Sequence, residues 1–293
     1  MKVVLIKSNL REGLVAVERA SGGANLPILK NVLIEAAGGK VKLSATDLEL
    51  AISCFVNGKI LEEGRVTVPL DVLLGLITNL PSERLDLEVK GNNLDIKTDN
   101  YEGRLLGASA DDFPLIPKVQ DQEHYLELKS DILNEALTQV TAATQMLDLR
   151  PELSSVLMDF TIDTLKLVAT DSFRLAEKTL SKSQFETTHV EPFRLLVPLR
   201  TVQEMLRFLK NEESVRLYHD ASQLFCTTNG VEMISRLLEA NFPEYGSVVP
   251  SEFGSEAVLN RQEFMNAVKL AGVLGSKTSE VRVKVSKIGR AHV

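Results

Sequence analysis

Two stretches decide the fold: Pro27–Asp47, PILKNVLIEAAGGKVKLSATD, and Pro151–Asp171, PELSSVLMDFTIDTLKLVATD. Aligned without gaps at an offset of 124, they share nine of 21 positions: Pro27/Pro151, Leu29/Leu153, Val32/Val156, Leu33/Leu157, Lys42/Lys166, Leu43/Leu167, Ala45/Ala169, Thr46/Thr170 and Asp47/Asp171. Most of the remaining pairs keep their apolar or polar class. An internal echo of this length marks a duplicated structural unit.

The echo extends in both directions. Downstream, Val68-Pro69-Leu70 answers Val197-Pro198-Leu199, and Asp112-Phe113-Pro114 answers Asn241-Phe242-Pro243, both at an offset of 129. Upstream, Lys7-Ser8-Asn9-Leu10 answers Lys129-Ser130-Asp131-Ile132, and a third start follows at Leu259-Asn260-Arg261-Gln262. Each start reads as a strand, a polar cap and a helix. Leu10, Leu14 and Val17 keep helical spacing, as do Leu133, Leu137 and Val140, and Phe264, Val268 and Ala271. Asn9 with Glu12, and Asn260 with Glu263, have the spacing of capping pairs.

Within the first copy the alternation predicts strands at 32–36, 41–45, 50–56, 65–68, 85–89, 94–98 and 103–108, with a second helix over 71–79. Each copy is thus a strand–helix–strand–strand–strand unit played twice. The fold class is α+β with mainly antiparallel strands, sheets on the outside and two helices on one side. Polar linkers at 118–123 and 250–255 divide the chain into copies at 1–119 and 124–250 and the start of a third at 254–287. Such a third stretch is too short to bury a core of its own, so the 293-residue chain is expected to have two folded copies. Residues 288–293, IGRAHV, break the pattern and match what a sequencing adapter read in frame would encode. They are expected to be a non-native tail.

Composition narrows the function classes. The chain has 293 residues, 44% hydrophobic and 25% charged, as a soluble multidomain protein does. The N-terminus lacks a signal-type apolar core, and no apolar run reaches membrane-spanning length, so a cytoplasmic place is expected. Cys54 and Cys226 sit in strand-like runs and read as reduced, buried thiols. The histidines at 124, 189, 219 and 292 are scattered, without metal-ligand spacing. A net charge of −7 argues against a protein that grips nucleic acid tightly through its phosphates. Any such role needs a local basic surface, or a way of holding DNA other than affinity.

Four segments carry a resemblance: Leu26–Leu33 (LPILKNVL), Ala45–Leu50 (ATDLEL), Ala169–Ala176 (ATDSFRLA) and Asn241–Tyr245 (NFPEY). In this order and at this spacing the chain resembles the bacterial sliding-clamp family, the beta subunits of DNA polymerase III, from residue 1 to about 287. The resemblance implies a repeated DNA-clamp (processivity) fold, with outer antiparallel sheets and inner helices. It implies a head-to-tail homodimer ring through which duplex DNA passes, non-specifically and held by topology, near the nucleoid. It implies a non-catalytic subunit of a polymerase holoenzyme, without cofactor or metal. The implied partners are the polymerase III alpha subunit, the clamp loader, and other polymerases and repair proteins that carry short linear motifs.

The resemblance also places sites. A partner-peptide cleft would have as its wall Leu153, Thr170, Ser172, Phe173, Arg174, Leu175, Pro243, Ser247 and Val248. Ser172 and Phe173 stand where Gly and His are common in the family, and Ser247 where Arg is frequent. DNA-facing candidates are Arg200, Arg207 and Lys210, on one helix face, with Arg11 and Lys269 as weaker ones. The helix of the first copy that matches Arg200's begins with Asp71 and lacks an equivalent cation. Leu105, Val273 and Leu274 would contribute to the ring interface. Two other readings compete: a protein-interaction scaffold without DNA, and a duplicated α+β hydrolase using Asp171 or Asp47. Against the hydrolase, the two aspartates occupy equivalent places in different copies, and an Asp after a strand more often accepts backbone N–H groups in a turn.

Overall fold

A computed structural model describes residues 1–22, 26–144, 150–273 and 281–284. It divides into two compact units, Met1–Pro243 and Glu244–Val293. The first copy runs β1 (Lys2–Ile6), α1 (Lys7–Glu18), β2 (Asn31–Ala37), β3 (Lys40–Thr46), β4 (Leu50–Val56) and β5 (Gly58–Glu62). It continues with β6 (Gly64–Pro69), α2 (Leu70–Asn79), β7 (Arg84–Lys90), β8 (Asn93–Lys97) and β9 (Glu102–Leu105). The second copy repeats this order, beginning with β10 (Leu126–Lys129), α3 (Ser130–Thr141), β11 (Ser155–Phe160), β12 (Thr164–Thr170), β13 (Leu175–Ser181) and β14 (Phe185–Thr187). It ends with β15 (Phe193–Pro198), α4 (Leu199–Phe208), β16 (Ser214–His219), β17 (Gln223–Thr227) and β18 (Val231–Arg236). The second unit contains α5 (Arg261–Val273).

The helices form where the periodicity places them. Leu10, Leu14 and Val17 of α1 are buried, and so are Leu133, Leu137 and Val140 of α3. Gly13 lets α1 close onto the sheet: a Cβ there would lie 2.6 Å from Val56 Cγ2 and 2.9 Å from Leu43 Cδ1. The capping pair expected at Asn9 and Glu12 is not one, because α1 begins two residues earlier. β1 runs into the helix without a loop, and the Lys7 backbone N–H donates to the Glu83 carbonyl at 2.7 Å. Ser130 N–H donates likewise to the Glu213 carbonyl at 3.0 Å in the second copy. A neighbouring strand's approach thus satisfies a donor that a side chain would otherwise cap. Asn260 does cap α5, accepting from Gln262 and Glu263 N–H at 3.0 and 3.1 Å.

Three antiparallel sheets result, in the orders β5-β1-β7-β8-β9, β13-β12-β11-β15 and β14-β10-β16-β17-β18-β4-β3-β2-β6. The last crosses from one copy to the other. β18 pairs with β4 from Val231↔Cys54 to Ser235↔Leu50, and the ladder runs on through Arg236 N–H to the Glu49 carbonyl at 2.9 Å. Lys42 and Glu232 add a 2.6 Å ion pair across the joint. β5 was not visible as a strand because its sequence, GKILE, is mostly exposed edge. β9 is shorter than the predicted 103–108, and Ala108 keeps only an isolated bridge to Thr67. Cys54 and Cys226 are buried free thiols, and burial pushes the Cys54 thiol up to about 12.

Candidate functional site

The Thr-Asp pair that opened the sequence comparison builds the same turn twice. In the first copy Asp47 Oδ1 accepts Glu49 N–H at 3.0 Å and Leu50 N–H at 2.8 Å. Thr46 Oγ1 donates to the Leu50 carbonyl and accepts Leu48 N–H, both at 3.0 Å. In the second copy Asp171 Oδ1 accepts Phe173 N–H at 3.0 Å and Arg174 N–H at 2.9 Å. Thr170 Oγ1 donates to the Arg174 carbonyl at 2.8 Å and accepts Ser172 N–H at 3.2 Å. The middle residue of each turn is left-handed, Leu48 at φ 79° and Ser172 at φ 73°.

Asp171 is therefore occupied by its own turn. Its other oxygen takes Arg174 Nε at 2.9 Å. The backbone N–H donors of Arg174 and Phe173 hold its carboxyl below the usual carboxylate range, with the Arg174 guanidinium adding to the effect. Three donors engage this carboxylate, two of them from the backbone of its own turn, which is the role of a turn anchor and counts against the hydrolase reading. No group of three or more His, Cys, Asp or Glu among the described residues could hold a metal ion.

Around the second turn the structure brings together most of the expected cleft wall. Phe173 stands out at the tip, 95% exposed. Arg150 Nη1 donates to Ser172 Oγ at 3.3 Å, which ties the turn to the 3-10 segment Pro151–Leu153. Leu153 and Thr170 are buried, and Leu175 is half-buried at the start of β13. Pro243 closes the first unit, half-buried, whereas Ser247 and Val248 fall in the second unit, where both are exposed.

The basic candidates divide into free and engaged. Arg11, Lys210 and Lys269 are exposed. Arg200, on the first turn of α4, reaches across the joint: it pairs with Asp47 Oδ2 and donates to the Arg19 carbonyl at 3.1 Å. Arg207 is held by the largely buried Glu204 at 2.6 and 2.8 Å. At the interface candidates, Leu105 is buried in β9, an edge strand paired only to β8, and Val273 is 80% exposed at the end of α5. Leu274 lies outside the described residues.

Two arrangements had no sequence signal. Asp95, its side chain 4% exposed, takes Arg104 at 2.6 and 3.0 Å and Lys90 at 3.2 Å, and the Arg104 bond above all holds its carboxyl well below the usual range. Three of the four scattered histidines are in fact gathered, and His292 lies outside the described residues. His189 stacks on His219 with ring centroids 5.1 Å apart and lies 5.9 Å from His124. Phe160 and Phe193 pack beside them, at 5.9 and 4.9 Å from His189. Burial, with the neighbouring imidazoles, lowers His189 to about 4.

Comparison with known proteins agrees with this architecture. Residues 1–117 match the family model for the DNA polymerase III beta subunit, N-terminal domain, and residues 127–244 that for its central domain. The beta sliding clamp of Synechococcus elongatus is 31% identical over 287 residues, covering 94% of this chain and 75% of that protein. The crystal structure of the Bacillus subtilis DNA polymerase sliding clamp has a similar fold, with TM-score 0.87 at 23% identity over 94% of this chain and 75% of that one. The Helicobacter pylori beta clamp, solved bound to a DNA ligase peptide, has TM-score 0.86 at 24% identity over 94% of this chain and 77% of that one.

Proposed function

We propose a detailed working of this protein from one premise: the chain belongs to the family of the bacterial DNA polymerase III beta subunit, and it is a DNA sliding clamp. Members of this family are processivity factors and not catalysts. In the finer reading, protomers with three complete copies form a ring of two placed head to tail; in this chain the domains run 1–119 and 124–250, with a third beginning at 254. The ring works in the cytoplasm at the nucleoid, as part of the polymerase holoenzyme.

The observation that carries this reading is the joint between copies. β18 of the second copy adds to β4 of the first by main-chain hydrogen bonds, and their counterparts, β13 in the second copy and β9 in the first, are terminal strands among the described residues. The same joint, made again, puts the last strand of a third copy on β13 and the third copy of a second protomer on β9. An edge strand that is paired in this way no longer invites aggregation. A ring holds duplex DNA without needing tight phosphate contacts, so a net charge of −7 is compatible with sliding. Arg11, Arg200, Arg207, Lys210 and Lys269 would supply weak, salt-sensitive, non-specific contacts. Arg200 and Arg207 would do so only by sharing their charge with Asp47 and Glu204.

The partner surface is the first-unit wall at Leu153, Thr170, Ser172, Phe173, Arg174, Leu175 and Pro243. Its occupant is a short linear motif with apolar anchors, carried by the polymerase alpha subunit, the clamp loader, and other polymerases and repair proteins. The Helicobacter pylori clamp bound to a DNA ligase peptide supports this mode. An exposed Phe173 on a pinned turn, beside the half-buried Leu175, would offer a preorganised apolar wall to such an anchor. Fluorescence anisotropy with a labelled ten-residue peptide bearing an acidic residue and adjacent Leu-Phe anchors tests it. Phe173→Ala and Leu175→Asp should each weaken binding about tenfold, the equivalent of ~1.4 kcal/mol. Unchanged affinity in both would reject the cleft.

A further inference from the structure

A recess of about 120 Å³ opens at the joint between the two copies. Leu48, Leu115, Ile116, Gln223, Ile234 and Arg236 line it, together with the backbone turn from Thr46 to Ala51. All belong to the first unit. We propose that this recess is a second docking site for a short linear peptide, one that inserts a single aliphatic side chain beside an acidic residue. The inference rests on reading the Thr170–Leu175 turn as a peptide-binding wall, and it extends that reading to the other copy.

Repetition is the first argument. Thr46–Ala51 is the offset-124 equivalent of Thr170–Leu175, with the same aspartate, the same threonine and the same left-handed middle residue. Pro114 is the offset-129 equivalent of Pro243. Of the proposed wall, the Thr170–Leu175 turn and Pro243 are therefore answered around the recess, whereas Leu29, the counterpart of Leu153, does not line it. Here the opposite wall is also in place, because β18 of the following copy lies against β4 and brings Ile234 and Arg236.

Size and chemistry select the occupant. A cavity of ~150 Å³ lined by aliphatic groups accepts a benzene-sized ligand, so a recess of about 120 Å³ suits one branched side chain and not a folded domain. Leu48 is 50% and Leu115 94% exposed, an apolar lip carried by the turn and by the segment that follows β9. At the rim, Arg236 Nη1 meets Glu49 Oε1 at 3.3 Å, and both side chains are more than half exposed. An exposed pair of this kind contributes little, so the guanidinium can turn to a peptide carboxylate. One arginine beside a glutamate is a poor phosphate site, which disfavours nucleic acid as the occupant.

Photo-crosslinking of the 293-residue chain tests the proposal. The probe is the same acidic, Leu-Phe peptide with a benzophenone beside the leucine, and the crosslinked residues are located by mass spectrometry with unlabelled peptide as competitor. Competable label on 46–51 or 114–117 is expected, together with label on 170–175. Leu115→Asp, a change at an exposed position, should cut the recess label about tenfold while leaving the label at 170–175 and the thermal midpoint unchanged. Label at 170–175 alone overturns the second site and leaves the cleft reading intact. Label at the recess alone supports the second site and sinks the cleft. Label at neither overturns both, and recess label that persists in Leu115→Asp overturns the placement in the recess.

Discussion

Ser172 occupies a backbone region that favours glycine, at φ 73°, and the turn imposes it through Asp171 and Thr170. A left-handed non-glycine residue stores on the order of 1–3 kcal/mol, against which glycine loses ~0.4–1 kcal/mol through unfolded-chain entropy. Ser172→Gly should therefore raise stability by about 1 kcal/mol in urea unfolding, and a loss of stability would show that the Arg150 bond to Ser172 Oγ outweighs the relief. This turn was half legible. Two Thr-Asp pairs at one offset announced it, and the preference of Asp for accepting N–H groups gave its role. What the sequence hid was Arg200. Its alignment with the basic residues of the family suggested DNA, while its bond to Asp47 joins positions 153 apart in the chain, and only the sheet joint brings these together.

At the level of elements, strand and helix positions were read well wherever a segment buries one face. They were read poorly at β5 and β9, which are edges and need no strict alternation. The histidine cluster belongs here too, because it exists only where strands meet. His189 follows β14, His219 ends β16, and His124 sits in the linker that docks on β14 through Thr188 N–H to the Tyr125 carbonyl at 3.1 Å. His189 and His219 are held below their ordinary value, His189 at about 4. The charged groups facing them are Asp121, paired to His124 at 2.6 Å, and Asp220, next to His219. Since the folded-state value is depressed, the neutral cluster stabilises fully above the unfolded histidine value of ~6.5. That stability is lost as pH falls from there toward 4, because the unfolded chain takes up protons first. The thermal midpoint should drop across this window, and His189→Phe should flatten the drop. A variant whose midpoint follows the wild type throughout would assign the acid sensitivity to other groups.

For the whole molecule, the joint between β4 and β18 is complete, while their counterparts in the other copy, β13 and β9, are terminal strands among the described residues. None of the described residues of the second unit is buried, α5 included. It therefore has little packed surface to offer to β9 of another protomer. Sedimentation at micromolar concentration should find the 293-residue chain as a monomer, and a stable dimer would mean that pairing on β9 needs less packed surface than the described residues of the second unit provide. The joint has one more consequence, for descent. It is written in main-chain N–H and C=O groups, which every residue but proline supplies alike. Only alternation, not identity, is needed to keep its register. Genes for such copies can drift far apart in spelling while the joint between β18 and β4 persists, because exchanging one strand-compatible side chain for another leaves its main-chain ladder in place. A lineage could thus lose nearly all recognisable likeness between its copies and still inherit the same joint.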